Sequence, residues 1–464
     1  MTGKTHSLSS CNPVRPYTRS GKLLVGVLRQ IYALLALFSS RYSKDIWPHH
    51  HEDPLYMSTA ERIYLGYKYY YRPMPEAETG TKIADQFRDS PARINLPKGF
   101  SPESTISLSA GGDLMPYESI RPSACGHLWD EAGDWFFGSD IVVANLETPI
   151  DRTKPVSLVP EVMLNDMYFN GDEAMFDLFS GNGKYRGYDL LSVANNHSLD
   201  QGIDGLIRTM EFLNEKSVAY CGATHPAQDK QAATIIERRG IKLAFIGATF
   251  SLNAVRIPIG SENLVNLLPL NRESPDIQLL VDQAVAARAE GVDFLVLMLH
   301  MGPAYQAYPG KIIRDNMLQI CAQTGADLIL GGHPHNAQPA EIIDYVHPAS
   351  HERKQALIIY SQADFIAYDI YKWCHLPLLL RLEITKGLIN GQKKTFISGI
   401  SFRLFYMYAQ IQHHKITQLR LIDFNRIDKE TIQKMDAASQ LEIEELRLFA
   451  NECLLPGLIG KNLG

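Results

Sequence analysis

The sequence predicts an α/β protein in which short buried strands alternate with amphipathic helices. Two strongly apolar runs, Asp293–Leu299 and Ala326–Leu330, are long enough for buried strands and too short for helices. The segments Gly202–Lys216 and Lys311–Gln323 carry apolar residues at helical spacing. Strands that alternate with helices in this way are typical of a largely parallel sheet.

The composition excludes several functional classes. Of the 464 residues, 45% are hydrophobic and 21% are charged, as in an ordinary globular protein with a full core. The formal net charge of -6 gives no basis for general nucleic-acid binding, so no nucleic-acid partner is expected. The six cysteines are widely scattered without a C-x-x-C pair, which favours neither a zinc ribbon nor a disulfide scaffold.

Residues 1–100 are predicted to form an N-terminal extension. The segment Leu23–Phe38 is apolar except for Arg29 and Gln30 near its middle, and a central arginine disfavours a membrane-spanning helix. As a helix, this segment has one apolar face, formed by Leu24, Val27, Leu28, Ile31, Leu34, Leu35 and Phe38. Such a helix either lies on a membrane surface or docks on the protein's own core, and the sequence leaves both open. The Pro-, Gly- and Ser-containing stretch Pro91–Ser104 is predicted to be a linker.

Residues 101–405 hold the predicted sheet domain. Its other predicted strands are Thr105–Ala110, Asp140–Ala144, Tyr188–Ala194, the hairpin Ala232–Phe250, and Ala356–Tyr360. Two later segments, Leu378–Ile384 and Thr395–Leu404, are predicted to be antiparallel strands that complete a sheet. Residues 406–464 are then a C-terminal helical extension, because Lys429–Glu452 combines a helical period with dense charge.

Metal-ligand side chains follow the predicted strands at five points. They are Asp113, Glu147, Asn196 with His197, His300, and His333 with His335. Ligands in open α/β sheets gather beyond the carboxyl ends of strands, so these side chains are predicted to converge at one edge. Carboxylates and imidazoles suit Mn, Fe, Zn, Co or Ni better than Ca, and Glu147 can bridge two ions. The sequence therefore predicts one or two divalent metal ions per chain, suited to phosphoryl displacement.

The same residues lie in motifs that resemble the CapA-type proteins of bacterial capsule and poly-γ-glutamate biosynthesis. The motifs are G-G-D-L-M at 111–115, N-L-E at 145–147, A-N-N-H-S-L-D-Q-G at 194–202, H-M-G at 300–302 and G-G-H-P-H at 331–335. The resemblance runs from about Thr105 to about Leu404 in the family's order. It implies a calcineurin-like metallophosphoesterase fold, which is a four-layer α/β/β/α sandwich with its metal site at the strand ends.

The resemblance also implies a role for each residue of the predicted site. The first metal would be held by Asp113 and His335, the second by Asn196, His300 and His333, with Glu147 between the two. By the same resemblance, His197 would act as a general acid or stabilise the substrate. Asp200 is then a candidate for orienting the His197 ring.

The sequence departs from the pattern of the wider superfamily in one place and from that of the family in two. Met115 stands where the wider superfamily has the histidine of D-x-H, as is usual for the CapA branch, so one metal loses a ligand. Ala304 stands where family members usually carry a glutamate, two residues after the glycine of H-x-G. The family's Y-S-L-G-N-F becomes Y-S-Q-A-D-F at residues 360–365. The second and third changes fall near the expected substrate side.

Two functions from different classes therefore remain open. The first is a metal-dependent hydrolase that cleaves a phosphoester, or an amide of a polyanionic polymer, in capsule or poly-γ-glutamate biosynthesis. The second is a non-catalytic accessory protein of a polymer synthesis or export complex, with a degraded metal site. The ligand set favours the first, whereas Ala304 and the altered segment 361–364 favour the second. A bacterial protein with peripheral membrane contact is expected if Leu23–Phe38 meets lipid. If this helix docks on the domain, a third interpretation follows, which is a soluble cytoplasmic nucleotidase-like phosphatase.

Overall fold

The computed structural model describes residues 7–38, 52–89, 92, 94–164, 168–226 and 232–458, and all statements on the fold concern these residues. The strands are β1 (Ser101–Leu114), β2 (Ile141–Leu146), β3 (Leu190–Ser192), β4 (Ala219–Cys221), β5 (Thr234–Arg238), β6 (Ile241–Thr249), β7 (Phe294–His300), β8 (Leu328–Gly332), β9 (Ala340–Val346), β10 (Arg353–Ile359), β11 (Asp364–Ile366), β12 (Leu378–Ile389), β13 (Gln392–Gln412) and β14 (Lys415–Asp423).

The helices surround these strands. They are α1 (Arg19–Phe38), α2 (Thr59–Tyr70), α3 (Ile83–Asp89), α4 (Pro122–Cys125), α5 (Gly133–Phe137), α6 (Glu173–Phe179), α7 (Gly202–Glu215), α8 (Gln278–Ala289), α9 (Lys311–Thr324), α10 (Lys429–Gln433), α11 (Ala437–Phe449) and α12 (Leu455–Leu458).

The first sheet joins a parallel half to an antiparallel half. Its strand order is β14-β13-β12-β1-β2-β3-β4, and β11 pairs with the end of β1. Strands β1 to β4 run parallel, whereas β12, β13 and β14 run antiparallel to their neighbours. Every residue of β2 is buried, as expected for a central parallel strand that is covered on both faces.

The second sheet has the order β5-β6-β7-β8-β10-β9. Its four central strands are parallel, and β5 and β9 pair antiparallel at the two edges. Strand β7 is buried along its whole length, which explains its continuous apolar sequence before His300.

The two sheets pack on each other with helices on both outer faces. Ile141 and Val143 of the first sheet belong to the hydrophobic core shared with the second sheet. Their neighbours Val142 and Ala144 point the other way, into a second core that includes α4 to α7. Helices α8 and α9 pack their buried apolar side chains against the second sheet. The layer order is therefore helix, sheet, sheet, helix, and the predicted α/β class and four-layer sandwich are confirmed.

The N-terminal region packs directly on this sandwich. Helix α2 begins with a capping box between Ser58 and Glu61, and α3 places the ring of Phe87 5.5 Å from that of Tyr360. The predicted linker is shorter than expected, because β1 begins at Ser101 and pairs with β12 from its first residue. The polar side chains at the start of β1 are exposed, so this part of the strand has no apolar pattern by which the sequence could predict it. Residues 91 and 93 of the predicted linker lie outside the described residues.

Helix α1 forms as predicted, and Val27, Ile31 and Leu34 of its predicted apolar face are exposed, whereas Leu28 of the same face is half-buried against the core. Its most exposed apolar side chains are Leu23, Val27, Ile31, Leu34 and Leu37. The opposite side packs on the protein through Val25, and Arg29 donates a hydrogen bond of 2.8 Å to the carbonyl oxygen of Tyr70. The side chain of Phe38 lies outside the described part of the chain. Among the described helices, α1 is long and apolar enough over Arg19–Leu37 to cross a membrane by length and composition.

The C-terminal region differs from the predicted helical extension. The predicted boundary at residue 405 falls inside β13, and β14 then adds a further strand to the first sheet. Residues His413 and His414 form the turn between them, both with positive φ angles (49° and 63°). The helical signal after 429 is divided, since Asp436 caps a new helix, α11, by accepting from the N–H groups of Ala438 and Ser439.

Candidate metal centre

The parallel strands of both sheets deliver the predicted ligands to a single buried site. Asp113 lies near the end of β1, Glu147 directly follows β2, and His300 ends β7. His333 and His335 follow β8, while Asn196 and His197 follow β3. Each of these side chains is buried. The carboxyl ends of parallel strands meet at one edge, which explains why residues so distant in sequence converge.

Five of these side chains form two overlapping groups that share one carboxylate. Glu147, His300 and His333 each offer a ligand atom, and these atoms lie within 4.8 Å of one another. Asp113, Glu147 and His335 form the second group by the same measure. Glu147 belongs to both groups and therefore stands where a bridging ligand between two ions would stand.

Glu147 is the electrostatic centre of the site. Its side chain is fully buried, and neither carboxylate oxygen has a hydrogen-bond partner among the described residues. Burial raises the pKa of this carboxyl, but the neighbouring charges of His300 and the other histidines outweigh it and lower the pKa to about 2. An ionised buried carboxylate without hydrogen-bond donors is costly unless a cation neutralises it. The residues therefore fit a bound metal ion.

His333 is held as a neutral imidazole. Burial and the nearby charges of His300 and His335 keep its pKa well below the ordinary value, and its Nδ1 atom has no partner among the described residues. Metal ions bind the neutral form of imidazole. The backbone before His333 needs glycine, because a Cβ atom on Gly332 would lie only 2.8 Å from Asp113 Oδ1.

Asp113 is fixed by neighbouring donors. Its Oδ1 atom accepts from the side-chain amide of Asn145 at 2.8 Å, and its Oδ2 atom accepts from the His333 backbone N–H at 3.2 Å. Burial and the charge of Glu147 raise the pKa of Asp113 to about 6. Asn145 lies inside the N-L-E motif, but its role as a support of Asp113 is visible only in the structure.

Asn196 joins the site through His300. The Asn196 Oδ1 atom lies 2.7 Å from His300 Nε2, and the same His300 nitrogen is 3.4 Å from Glu147 Oε1. The Asn196 amide also donates to Asn253 Oδ1 at 3.0 Å, which fixes the amide orientation. Asn253 lies in the loop after β6, and its distance in sequence from the motifs explains why sequence analysis misses it.

His335 has a carboxylate partner that the sequence does not predict. The His335 Nδ1 atom lies 2.9 Å from Asp364 Oδ1, and the ring of Tyr305 stacks on the imidazole at 5.5 Å. Burial lowers the pKa of His335, but the Asp364 charge and hydrogen bond outweigh it and raise the pKa to about 10. With Nδ1 engaged by Asp364, the Nε2 atom is left to face a metal ion, as in carboxylate–histidine–metal arrangements.

His197 and Asp200 form a hydrogen-bonded pair beside the ligands. His197 Nδ1 lies 2.7 Å from Asp200 Oδ2, and the backbone N–H of Phe169 donates to the same oxygen at 2.6 Å. The ring of Phe169 stacks on the imidazole at 4.1 Å. Burial lowers the pKa of His197, but Asp200 and Glu147 outweigh it and raise the pKa above the ordinary value. This geometry orients the imidazole and favours its protonated form.

The three departures from the superfamily and family patterns have different structural settings. Met115 is buried, and its backbone N–H donates to the carbonyl oxygen of Ile366. The Gln362 side chain donates to the carbonyl oxygen of Ala110 at 2.9 Å, so it connects strands and not the ligands. At Ala304, the backbone N–H donates to the carboxylate of Glu52 at 2.7 Å. The N-terminal region thus supplies a carboxylate beside the position that lacks one.

A third group of candidate ligand atoms lies next to His335, and hydrogen-bond donors of the protein occupy its Asp369 carboxylate. Asp364, Asp369 and Cys374 have ligand atoms within 4.8 Å of one another. The Asp369 carboxylate accepts from the hydroxyl groups of Tyr69 and Tyr117 at 2.5 and 2.9 Å. The Asp369 carboxylate therefore has hydrogen-bond donors, which the Glu147 carboxylate lacks among the described residues.

Comparisons with known proteins point to one family. A family model described as bacterial capsule synthesis protein PGA_cap matches residues 107–369. The chain is 27% identical over 184 residues to the capsule biosynthesis protein CapA of Bacillus anthracis, covering 39% of this chain and 41% of that protein. It is 22% identical over 245 residues to the PGA biosynthesis protein CapA of Bacillus subtilis, covering 52% of this chain and 60% of that one. The chain thus spans about two fifths to three fifths of the length of these relatives.

Two solved structures are also similar to the chain. The calcineurin-like phosphoesterase YfkN of Bacillus subtilis matches with a TM-score of 0.36 and 14% identity, covering 75% of this chain and 100% of that one. A hypothetical protein of Thermus thermophilus matches with a TM-score of 0.36 and 14% identity, covering 65% of this chain and 99% of that one.

Proposed function

This chain belongs to the bacterial capsule synthesis protein family, and on that premise we propose that it is a metal-dependent hydrolase. Its substrate is a phosphoester, or an amide of a polyanionic polymer, in capsule biosynthesis. The names of the two Bacillus relatives support the link to capsule and, for one of them, to PGA biosynthesis. Its binding partner would be the polymer itself, or a complex that makes or exports the polymer.

The observation that carries this proposal is the buried carboxylate of Glu147, which has no hydrogen-bond partner among the described residues. Its two carboxylate oxygens are buried without hydrogen-bond donors among the described residues, and the unpartnered Nδ1 atom of His333 lies in the same cluster. A divalent cation would satisfy these atoms together. Mn, Fe, Zn, Co and Ni all suit a set of carboxylate, amide and imidazole ligands.

The two groups differ in the number of ligands that they offer to a metal ion. The group of Glu147, His300 and His333 gains the amide oxygen of Asn196, whereas the group of Asp113, Glu147 and His335 has Met115 where a further histidine is expected. The first group is therefore proposed to hold its ion more tightly. A bound divalent ion would supply Lewis-acid polarisation of a phosphoryl or carbonyl oxygen.

The protein's own residues then complete the chemistry. His197 carries a proton on its outward nitrogen, because Asp200 holds its Nδ1 atom and favours the charged imidazole. It is proposed to donate that proton to the leaving group, or to hydrogen-bond a negatively charged oxygen. The stacked ring of Phe169 keeps the imidazole in this orientation.

A non-catalytic accessory role is the second candidate, and two observations favour it. Ala304 replaces the glutamate that family members usually carry, and the segment 361–364 departs from the family's Y-S-L-G-N-F near the expected substrate side. In that case the metal ion would stabilise the fold of a subunit in a polymer synthesis or export complex. The two candidate functions predict different effects of His197→Ala. The hydrolase should lose activity, whereas a structural metal site does not require the His197 proton.

The test is metal-dependent turnover. The purified protein is loaded with Mn, Fe, Zn, Co or Ni in turn and assayed on a panel of phosphoesters and γ-glutamyl amides. Turnover that needs the metal and is lost in Glu147→Gln supports the hydrolase. Stoichiometric metal without turnover on any substrate of the panel would favour the accessory role instead.

A further inference from the structure

A buried ion pair in the N-terminal region lies beside the candidate metal centre. Lys68 on α2 is fully buried, and its Nζ atom pairs with the Oε1 atom of Glu52. The ring of Tyr64 lies 5.6 Å from the same nitrogen. Lysine is almost never fully buried unless it is paired, and a buried pair contributes little net stability relative to apolar residues. Packing alone therefore does not account for the burial of this pair.

Glu52 connects this pair to the loop that follows His300. Its Oε2 atom accepts from the backbone N–H of Ala304 at 2.7 Å. The next residue, Tyr305, donates its N–H to the carbonyl oxygen of Pro334 at 2.9 Å and stacks on the ring of His335. Glu52 thus binds the residue before Tyr305, and Tyr305 contacts the loop that carries His333 and His335.

The neighbouring residue connects to the opposite side of the site. Asp53 accepts from the hydroxyl group of Ser251 at 3.1 Å, and the Ser251 oxygen in turn accepts from the N–H of Asn253 at 3.0 Å. Asn253 then accepts from the amide of Asn196 at 3.0 Å. Glu52 and Asp53 therefore join two loops that both contact candidate ligands, and α2 lies over this junction.

Lys68 retains donor capacity in this position. An ammonium group has three N–H donors, and Glu52 Oε1 is the one hydrogen-bond acceptor found for it among the described residues. Its partner Glu52 contacts Ala304, and the ring of the next residue, Tyr305, stacks on the candidate ligand His335. A cation with free donors beside a cluster of metal ligands is suited to an anionic group of a substrate.

We propose that Lys68 is an anion-binding residue of the metal centre, which takes a phosphoryl or carboxylate oxygen of the substrate. This deepens the proposed function and rests on it for the identity of the substrate. Glu52 competes with the incoming anion for Lys68, so it acts as an internal stand-in. The N-terminal region is then part of the substrate site, and not only an extension that packs on the sheets.

This role predicts opposite effects for the two partners of one ion pair. Lys68→Met removes the cation and leaves the Glu52 carboxylate facing the anion, so anion affinity falls. Glu52→Gln removes the competing carboxylate and keeps the cation, so anion affinity rises. A pair that only docks α2 on the domain predicts the same direction for both variants, because either change breaks the same contact.

The experiment is calorimetric titration of the full Mn-loaded chain with inorganic phosphate and, in a second arm, with glutarate. Lys68→Met should weaken binding of the preferred anion by about tenfold or more, since a hydrogen bond to a charged group is lost. Glu52→Gln should tighten it. The matched control is Lys372→Met, which removes another buried lysine, paired with Glu445 near the C-terminal helices, and should leave anion affinity unchanged. The two arms distinguish a phosphoryl from a carboxylate ligand.

A double variant keeps the test valid if Lys68→Met fails to fold. Glu52→Gln combined with Lys68→Met removes both buried charges, a change that is often tolerated, and should bind the anion as weakly as Lys68→Met. Unchanged affinity in the single or double variant would overturn the proposal, as would a wild-type protein that binds neither anion. Lys68-dependent binding without any turnover would contradict the hydrolase and leave the anion site standing.

Discussion

Replacing His197 with alanine tests the chemical role of the site most sharply. The His197 Nδ1 atom lies 2.7 Å from Asp200 Oδ2, and Phe169 stacks on the ring at 4.1 Å. His197 itself belongs to neither of the two ligand groups that share Glu147. His197→Ala should therefore leave metal content nearly unchanged while removing a proton donor.

The size of the effect follows from general acid catalysis. A positioned proton donor contributes about 10²–10⁴-fold to rate, so kcat should fall by that factor in His197→Ala. Asp200→Asn should cause a milder loss, because it keeps the ring position but removes the charge that raises the pKa of His197. Activity that needs protonated His197 is lost as pH rises through this pKa. The alkaline limb of the pH profile should therefore move to lower pH in Asp200→Asn.

The chain offers a matched control with the same spacing. His127 Nδ1 lies 2.8 Å from Asp130 Oδ2, and the two residues are three apart in sequence, as His197 and Asp200 are. The His127 side chain is 62% exposed, so this pair lies at the surface. His127→Ala should leave kcat and its pH profile unchanged. Metal-loaded initial rates on the best substrate of the panel provide the measurement. If His197→Ala is as active as the wild type, His197 has no place in the mechanism.

Three further predictions concern other parts of the molecule. Helix α1 exposes apolar side chains such as Leu37 (81%), so high-salt or carbonate washing should release the protein from membranes, and resistance to extraction would contradict a peripheral helix. Asp364→Asn should weaken metal binding by about 10–100-fold in a Mn titration, because His335 loses the carboxylate that orients it; an unchanged affinity would remove Asp364 from the site. The pKa of buried Glu442 falls from 4.5 to about 2, since the charges of His375 and Arg15 outweigh its burial. Above pH 4.5 this carboxylate should then contribute about 3 kcal/mol to the free energy of unfolding, and this contribution is lost as the pH falls towards 2. Glu442→Gln should therefore flatten the dependence of the melting temperature on pH in that range.

The ligand-bearing strand ends are predictable because they depend on local sequence and one general rule. Buried parallel strands have continuous apolar runs, and their carboxyl ends share an edge. The polar residue after each run, such as Glu147 after β2 or His300 at the end of β7, is therefore placed by the strand itself. No knowledge of side-chain contacts is needed for that step.

The supporting residues are not predictable by the same rule. Asn253 contacts Asn196 from a loop that carries no distinctive motif. Asp364 contacts His335 from the start of β11, where the chain departs from the family's motif. Glu52 and Lys68 come from a region that the sequence assigns to an extension, and only tertiary packing brings them to Ala304. Contacts of this kind depend on how separate elements pack, which the periodicity of one segment does not encode.

The C-terminal strands escape prediction for a local reason. A hairpin is usually recognised by Asn-Gly, Asp-Gly or another glycine-containing turn. The turn between β13 and β14 uses His413 and His414 at positive φ angles, which are uncommon for residues other than glycine. The end of β13 and the whole of β14 are consequently assigned to a helical extension by sequence alone.

The central claim is that Glu147, His300 and His333 hold a metal ion, and metal analysis tests it directly. The purified full chain is stripped, refilled with Mn, Fe, Zn, Co or Ni in turn, dialysed, and measured by mass spectrometry of the metal. We expect stoichiometric retention of at least one of these ions, most of it lost in His333→Ala together with a lower melting temperature. A wild-type protein that retains no stoichiometric metal under any of these conditions would contradict the account.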